Sequence, residues 1–202
     1  MNKDRFIYGL IYLSASLSVI ILVALIAYVF IKGISVINWS FLTTVSSAYK
    51  GTIGIAGNIV NTLYIIFITL LIGLPIGIGS AIYLNEYARN KKFVSVIEYC
   101  TETLSGLPSI IFGLFGMMFF GQTMGLGYSI LTGCLTLILM ILPLIVRNTQ
   151  EALKTVPKLY RDGALSLGAG KWYVIKTVVL PSCIKGIITG VILGVGRIVS
   201  ES

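Results

Sequence analysis

The 202 residues are 56% hydrophobic and 11% charged, with a mean hydropathy of +0.97; a soluble domain of this size would expose more apolar surface than water tolerates, so the chain reads as an integral membrane protein. A net charge of +8 does not indicate a nucleic-acid partner, because the basic residues fall in gaps between apolar runs and not along one aromatic-studded face. There is no histidine, which excludes a histidine-based triad or a zinc site using histidine, and no acid pair or nucleophile pattern replaces them, so no enzymatic role is expected.

A membrane-spanning helix needs about 20 apolar residues. Lys3 and Arg5 precede the first charge-free run, residues 7–31. It is about twice the length of a signal-peptide core, and no small-x-small pattern closes it before Lys32, so it is read as an uncleaved span after a short N-terminal segment, residues 1–6. A second run covers residues 59–84. The uncharged tract 103–146 has room for two spans, and the turn-rich Gly121-Gln122-Thr123-Met124-Gly125-Leu126-Gly127 divides it into 104–120 and 128–146. A fifth run starts near Ile184 and is unfinished at Ser202.

Within these runs Pro75 and Pro143 offer kinks, and Gly73 with Gly77 has the spacing of a helix contact. Basic residues cluster in the N-terminus, in residues 86–102 (Arg89, Lys91, Lys92) and in residues 147–185. Between the first two spans stand only Lys32 and Lys50, and the Gly121 turn has none. The Lys and Arg bias therefore places the N-terminus and the long basic segment in the cytoplasm. Trp39 and Tyr49 suit the outer interface. Cys100, Cys134 and Cys183 show no paired metal or redox spacing and are read as apolar packing residues.

The basic segment carries Arg147, Lys154, Lys158, Arg161, Lys171, Lys176 and Lys185 against Glu151 and Asp162. Its Gly168-Ala169-Gly170-Lys171 imitates the end of a phosphate-binding loop, but Leu165 stands where that loop needs glycine and Trp172 where it needs a hydroxyl. Pro157 can open a helix continued by residues 159–167, and Gly168-Ala169-Gly170 can end it. A second helix then runs through Trp172, Val174, Ile175 and Val178 to Pro181. The expected form is a helix-turn-helix bracket between the fourth and fifth spans, with Trp172 packed in it.

Asp162-Gly163-Ala164, three residues, Gly168, nine residues, then Val178-Val179-Leu180-Pro181 resembles the signature of bacterial ABC importer permease subunits: Glu-Ala-Ala, three residues, Gly, nine residues, Ile-x-Leu-Pro. The spacing agrees throughout, and Gly163 is the one substitution that is not conservative. Asn61-Thr62-Leu63-Tyr64, Gly73-Leu74-Pro75-Ile76-Gly77 and residues 81–88 (Ala-Ile-Tyr-Leu-Asn-Glu-Tyr-Ala) look like the second span of phosphate importer permeases of the PstA type. Residues 107–116 (Leu-Pro-Ser-Ile-Ile-Phe-Gly-Leu-Phe-Gly) look like their third. Residues 194–202 resemble their Gly-Arg-Ala-x-Gly-Glu-Thr segment, with Ser200 in place of its glycine.

The resemblance covers residues 52–202 and implies the all-α type I ABC importer permease fold. The fifth span is incomplete at Ser202, residues 184–202, and a sixth is expected. It implies that residues 147–183 form a cytoplasmic coupling segment, in which Asp162, Gly163, Ala164, Gly168, Leu180 and Pro181 receive the motion of an ATPase. Further partners implied are a second related permease and an extracytoplasmic phosphate-binding protein, with the chain in the bacterial cell membrane and no cofactor. The alternatives are a permease for another oxyanion, molybdate or sulfate, or a membrane scaffold that transports nothing.

The last run gathers small and charged residues on one face. At 100° per residue, Gly186, Gly190, Gly194, Arg197 and Glu201 fall within about 80° of one another on a helix. A stripe of small residues admits a close neighbour, which would turn Arg197 toward protein or water and away from lipid. Counted from Ile184, Arg197 lies roughly 20 Å along the helix. A guanidinium there can donate two parallel hydrogen bonds to an oxyanion, and Glu201 is expected to pair with it when no substrate is bound. Arg197 and Glu201 are thus the candidate substrate-path residues.

Overall fold

The computed structural model describes residues 2–47, 49 and 51–201. Lys50, between the first two spans, and Ser202, at the end of the last run, lie outside the described residues, as do the side chains of Lys3 and Arg5. The chain divides into two units, Met1–Val60 and Asn61–Ser202.

In the first unit, α1 (Asn2–Ile34) is apolar around its whole circumference, and none of its described residues is buried. Two of its serines turn back onto the helix: Ser14 Oγ donates to the Leu10 carbonyl at 2.9 Å and Ser16 Oγ to that of Tyr12 at 2.7 Å. Such a helix suits apolar surroundings on every side. After α2 (Trp39–Thr43) comes a small antiparallel hairpin that the apolar-run reading did not foresee. Its strands β1 (Val45–Ser47) and β2 (Thr52–Ile55) pair Val45 with Ile55 and Ser47 with Thr52 around a bulge. Gly51 takes φ +61 in its turn, and Thr52 Oγ1 donates to the Val45 carbonyl at 3.0 Å. Trp39 and Tyr49 are exposed.

The second unit is built on α6 (Ile130–Thr155). α3 (Ala56–Ile82) continues as a π-helical turn, Tyr83–Tyr87. α4 (Lys91–Ser105) is capped by Asn90, whose side chain accepts from the backbone of Lys92 and Phe93. α5 (Ser109–Gly116) runs into a second π turn, Met117–Thr123. α7 (Lys158–Ser166) follows α6. Then α8 (Lys171–Val174), a π turn at Ile175–Val179 and α9 (Leu180–Glu201) form one continuous helical rod.

Glycines set the spacing around α6. A Cβ on Gly77 of α3 would stand 2.7 Å from Ile145 Cγ2, and one on Gly186 of α9 would stand 2.6 Å from Ala152 Cβ. The backbones therefore approach as closely as small residues permit. Ile141, Ile145, Leu153, Ile175, Val179 and Ile198 are almost wholly buried in the resulting core. Pro75 and Pro143 sit inside α3 and α6 without ending them.

Among the described residues four helices are long and apolar enough to cross a membrane: Ile7–Ile34, Ala56–Tyr87, Ile130–Thr155 and Lys171–Glu201. A fifth crossing is available from the bent pair Lys91–Ser105 and Ser109–Thr123.

The run read as 128–146 corresponds to α6, which starts at Ile130 and continues to Thr155 into the expected coupling segment, and two further boundaries differ from expectation. The helix read as 104–120 begins at Ser109 and reaches Thr123, whereas Leu104 belongs to α4, with a 99° bend between the two. Pro108 has no N–H to donate and holds Leu107 out of the helical region, so an uninterrupted apolar run is broken by backbone chemistry. The second difference lies at Leu180-Pro181, expected to end the bracket before a span from Ile184. The rod passes through it: the π turn at Ile175–Val179 leads straight into α9, whose second residue is Pro181, and the missing N–H costs one hydrogen bond without ending the helix.

Candidate coupling and substrate-path sites

α7 stops where its glycine allows. Gly168 takes φ +82, its N–H bonds the Leu165 carbonyl at 3.0 Å, and the Ala169 N–H reaches the Ala164 carbonyl at 3.3 Å. This pair of bonds is the Schellman arrangement, which satisfies the carbonyls a helix end leaves open. Ala164, Ala169 and Leu180 pack against the core formed by Ala81, Leu84, Leu153, Val156 and Val179. Elsewhere α7 is open: Asp162, Gly163, Leu159, Tyr160 and Leu165 are exposed, as are Leu167 and Gly168 just past its end and Pro181 in α9. Of the six expected coupling residues, Ala164 and Leu180 thus face the membrane bundle, and the other four lie on the surface.

The inner side of α7 carries a residue that the motif reading passed over. Arg161 Nη2 lies 3.0 Å from Glu86 Oε1, with the two side chains 17% and 11% exposed. The same guanidinium donates to the Val156 carbonyl at 2.9 Å and the Leu153 carbonyl at 2.7 Å, so it also caps the C-terminal end of α6. Its Nε is buried without a hydrogen-bond partner among the described residues. Asn85 Nδ2 donates to Glu86 Oε1 at 2.9 Å. Lys171, the first residue of α8, donates Nζ to the Glu86 carbonyl and lies 4.8 Å from the centre of the Tyr87 ring. The ends of α3 and α6 and the starts of α7 and α8 thus meet at one buried carboxylate and one buried guanidinium. The sequence signal was a carboxylate inside the 81–88 motif and an arginine directly before the Asp162-Gly163-Ala164 motif.

A looser, exposed ion network joins α4 to α6. Lys154 Nζ lies 3.4 Å from Glu98 Oε1, and Arg147 lies 3.4 Å from Glu102 and 3.3 Å from Glu151. Exposed pairs of this kind contribute up to about 1 kcal/mol each.

The glycine stripe of α9 is only partly occupied. Gly186 and Gly190 face Ala152 and Asn148 of α6, but a Cβ on Gly194 would meet nothing within 4 Å. Arg197 is half-buried. It makes no side-chain ion pair among the described residues, so the expected bond to Glu201 is absent. Arginine preceding glutamate by four residues is the weaker order on a helix, because each charge then opposes the helix dipole. Glu201 instead lines a cavity of about 590 Å³ together with Ser109, Phe112 and Met117 of the α5 segment and Thr132, Thr136 and Met140 of α6. Arg197 is not among the lining residues. Cys134 and Cys183 are buried and Cys100 is exposed.

Known proteins match this architecture. Residues 73–202 match the family described as "Binding-protein-dependent transport system inner membrane component". The probable ABC transporter permease protein YqgI of Bacillus subtilis (strain 168) is 42% identical over 205 residues, covering 100% of this chain and 70% of that protein. The phosphate transport system permease protein PstA of Haemophilus influenzae is 30% identical over 201 residues, covering 100% and 71%. A PstA homolog of Mycoplasma pneumoniae is 39% identical over 184 residues, covering 88% of this chain and 28% of its own length. Among solved structures, a chain of the inward-facing MetNI methionine ABC transporter superposes with a TM-score of 0.61 at 20% identity, covering 74% of this chain and 69% of that one. The fold is the type I permease fold of ABC importers. The chain is a multi-pass membrane protein that belongs to the binding-protein-dependent transport system inner membrane components, as an ABC permease of the PstA type.

Proposed function

We propose that this chain is a membrane subunit of an ATP-driven phosphate importer in the bacterial cell membrane. In this reading it pairs with a second, related permease, two ATPase subunits and an extracytoplasmic phosphate-binding protein. The N-terminus and the coupling segment, residues 147–183, face the cytoplasm, and residues 52–202 form the permease core. One observation supports the coupling role above the others: α7 exposes Asp162, Gly163 and the apolar Leu159, with the apolar Leu167 just past its end. Its inner side is bolted through Arg161 to the ends of α3 and α6. A helix so built can receive a partner and pass on its displacement. Phosphate is favoured as cargo because relatives named as phosphate transport permeases align over most of the chain.

In this mechanism, closure of the ATPases pushes α7, the helix ends attached to it turn, and the substrate path opens alternately to either side. Arg197 would supply a permanent positive charge and a two-pronged donor for phosphate. The subunit performs no covalent chemistry; ATP is hydrolysed on its partner. The reading is tested by purifying the tagged chain with its partners, reconstituting the complex in liposomes and measuring ATP-dependent uptake of radiolabelled phosphate with loaded binding protein. ATPase co-purification with phosphate uptake supports it. Co-purification with uptake of molybdate or sulfate alone would reassign the cargo, and absence of an ATPase would reject the transport role.

A further inference from the structure

We infer that Arg161 and Glu86 form a positioning pair that carries α7 and the end of α3 as one body, so that a push on the coupling helix reaches α3 as well as α9. The inference rests on the coupling role proposed above. Pro181 lies in an unbroken rod that leads from α8 into α9, which makes one route for motion. The second route is less visible. α7 packs on α8 and on the π turn that follows it, whereas the end of α3 packs on α6. The bridge between α7 and α3 is the ion pair at 3.0 Å.

Three features suit the pair to transmission. Both side chains are shielded, at 17% and 11% exposure, so separating them would leave an uncompensated charge in a poorly solvated site, and that resists parting. Arg161 is held on two further sides by the carbonyls of Leu153 and Val156, so it cannot shift without α6 or its own bonds yielding. Glu86 lies within a π-helical turn, a local irregularity where a helix can change register with little loss of hydrogen bonding. The free Nε of Arg161 is a spare donor that a rearranged turn could engage. Motion of α7 is therefore delivered to the π-helical turn that follows α3.

The test compares phosphate imported per ATP hydrolysed in proteoliposomes holding the complete importer, with wild type, Arg161→Gln, Glu86→Gln and the double variant. Assembly is followed by the co-purifying ATPase. Arg161→Lys, which keeps the charge but not the planar fork, provides a milder variant. Each single variant is expected to assemble and hydrolyse ATP while importing about tenfold less phosphate per ATP, and the double variant is expected to be no worse than either single, as for residues acting as one unit. A merely structural role would change the amount of complex and not this ratio. An unchanged ratio in the single variants, or losses that multiply in the double, would overturn the inference. So would failure of all three single variants to assemble, which would make the pair a folding element. A wild-type complex that imports no phosphate would instead reject the transport reading itself.

Discussion

Gly190 of α9 lies directly against Asn148 of α6: a Cβ on the glycine would stand 2.8 Å from the asparagine Cβ. Asn148 Cβ is fixed by the α6 backbone whatever its rotamer, and the side chain is further held by Nδ2 donating to the Leu144 carbonyl at 2.8 Å. Gly190→Ala should therefore force the two helices apart and cost about 1–3 kcal/mol. Gly196, on the same helix, has nothing within 4 Å of its Cβ position. Gly196→Ala should be neutral or stabilising by up to about 1 kcal/mol, since alanine loses less entropy in a helix. Thermal melting of the purified protein in detergent checks both, and equal melting points for the two variants would contradict the close approach.

The end of α7 offers a backbone test. Gly168 at φ +82 has open space around it, so any loss on substitution comes from conformation and not from crowding. Gly168→Ala should cost about 1–2 kcal/mol, and Gly168→Asn less, because asparagine tolerates the left-handed region. The difference between the two melting shifts is the diagnostic quantity.

Asp162 is exposed and makes no side-chain ion pair among the described residues. If α7 is the docking helix, Asp162→Lys should leave the melting point of the isolated chain within about 0.5 kcal/mol of wild type in stability. It should also weaken ATPase co-purification about tenfold, equivalent to ~1.4 kcal/mol. A full yield of ATPase with this variant would place the docking surface elsewhere.

Arg197 and Glu201 are expected to behave differently, since they form no pair in this conformation. In the assembled importer Arg197→Gln should lower phosphate uptake by about tenfold or more while sparing assembly, through loss of a charge-assisted double hydrogen bond. Glu201→Gln should have the smaller effect. Initial rates of phosphate uptake decide it, and normal uptake by the arginine variant would remove that residue from the substrate path.

Much of the helical layout was legible because hydropathy is a local quantity: runs without charge mark α1, α3 and α6, and Gly168 marks the end of α7. The bend at Pro108 was missed because residues 103–146 carry no charge, and a charge-based reading is blind to a break made by a missing N–H. The hairpin at residues 45–55 was missed for a related reason, since strands this short carry too little periodicity to register. At the site, the motif spacing drew attention to Asp162 and its neighbours. It gave no reason to look at Arg161, whose importance depends on where α3 ends.

Taken alone, the sequence determined that this is a membrane protein, roughly where its helices run and which segment carries the coupling motif, because transfer free energies and backbone preferences belong to short stretches of chain. Only the tertiary structure decided that Gly186 and Gly190 press on α6, that Glu201 faces a cavity while Arg197 does not, and that Glu86 closes on Arg161. Those outcomes depend on the packing of helices remote in sequence, where a buried charge is tolerable only if its partner is brought to it by the fold.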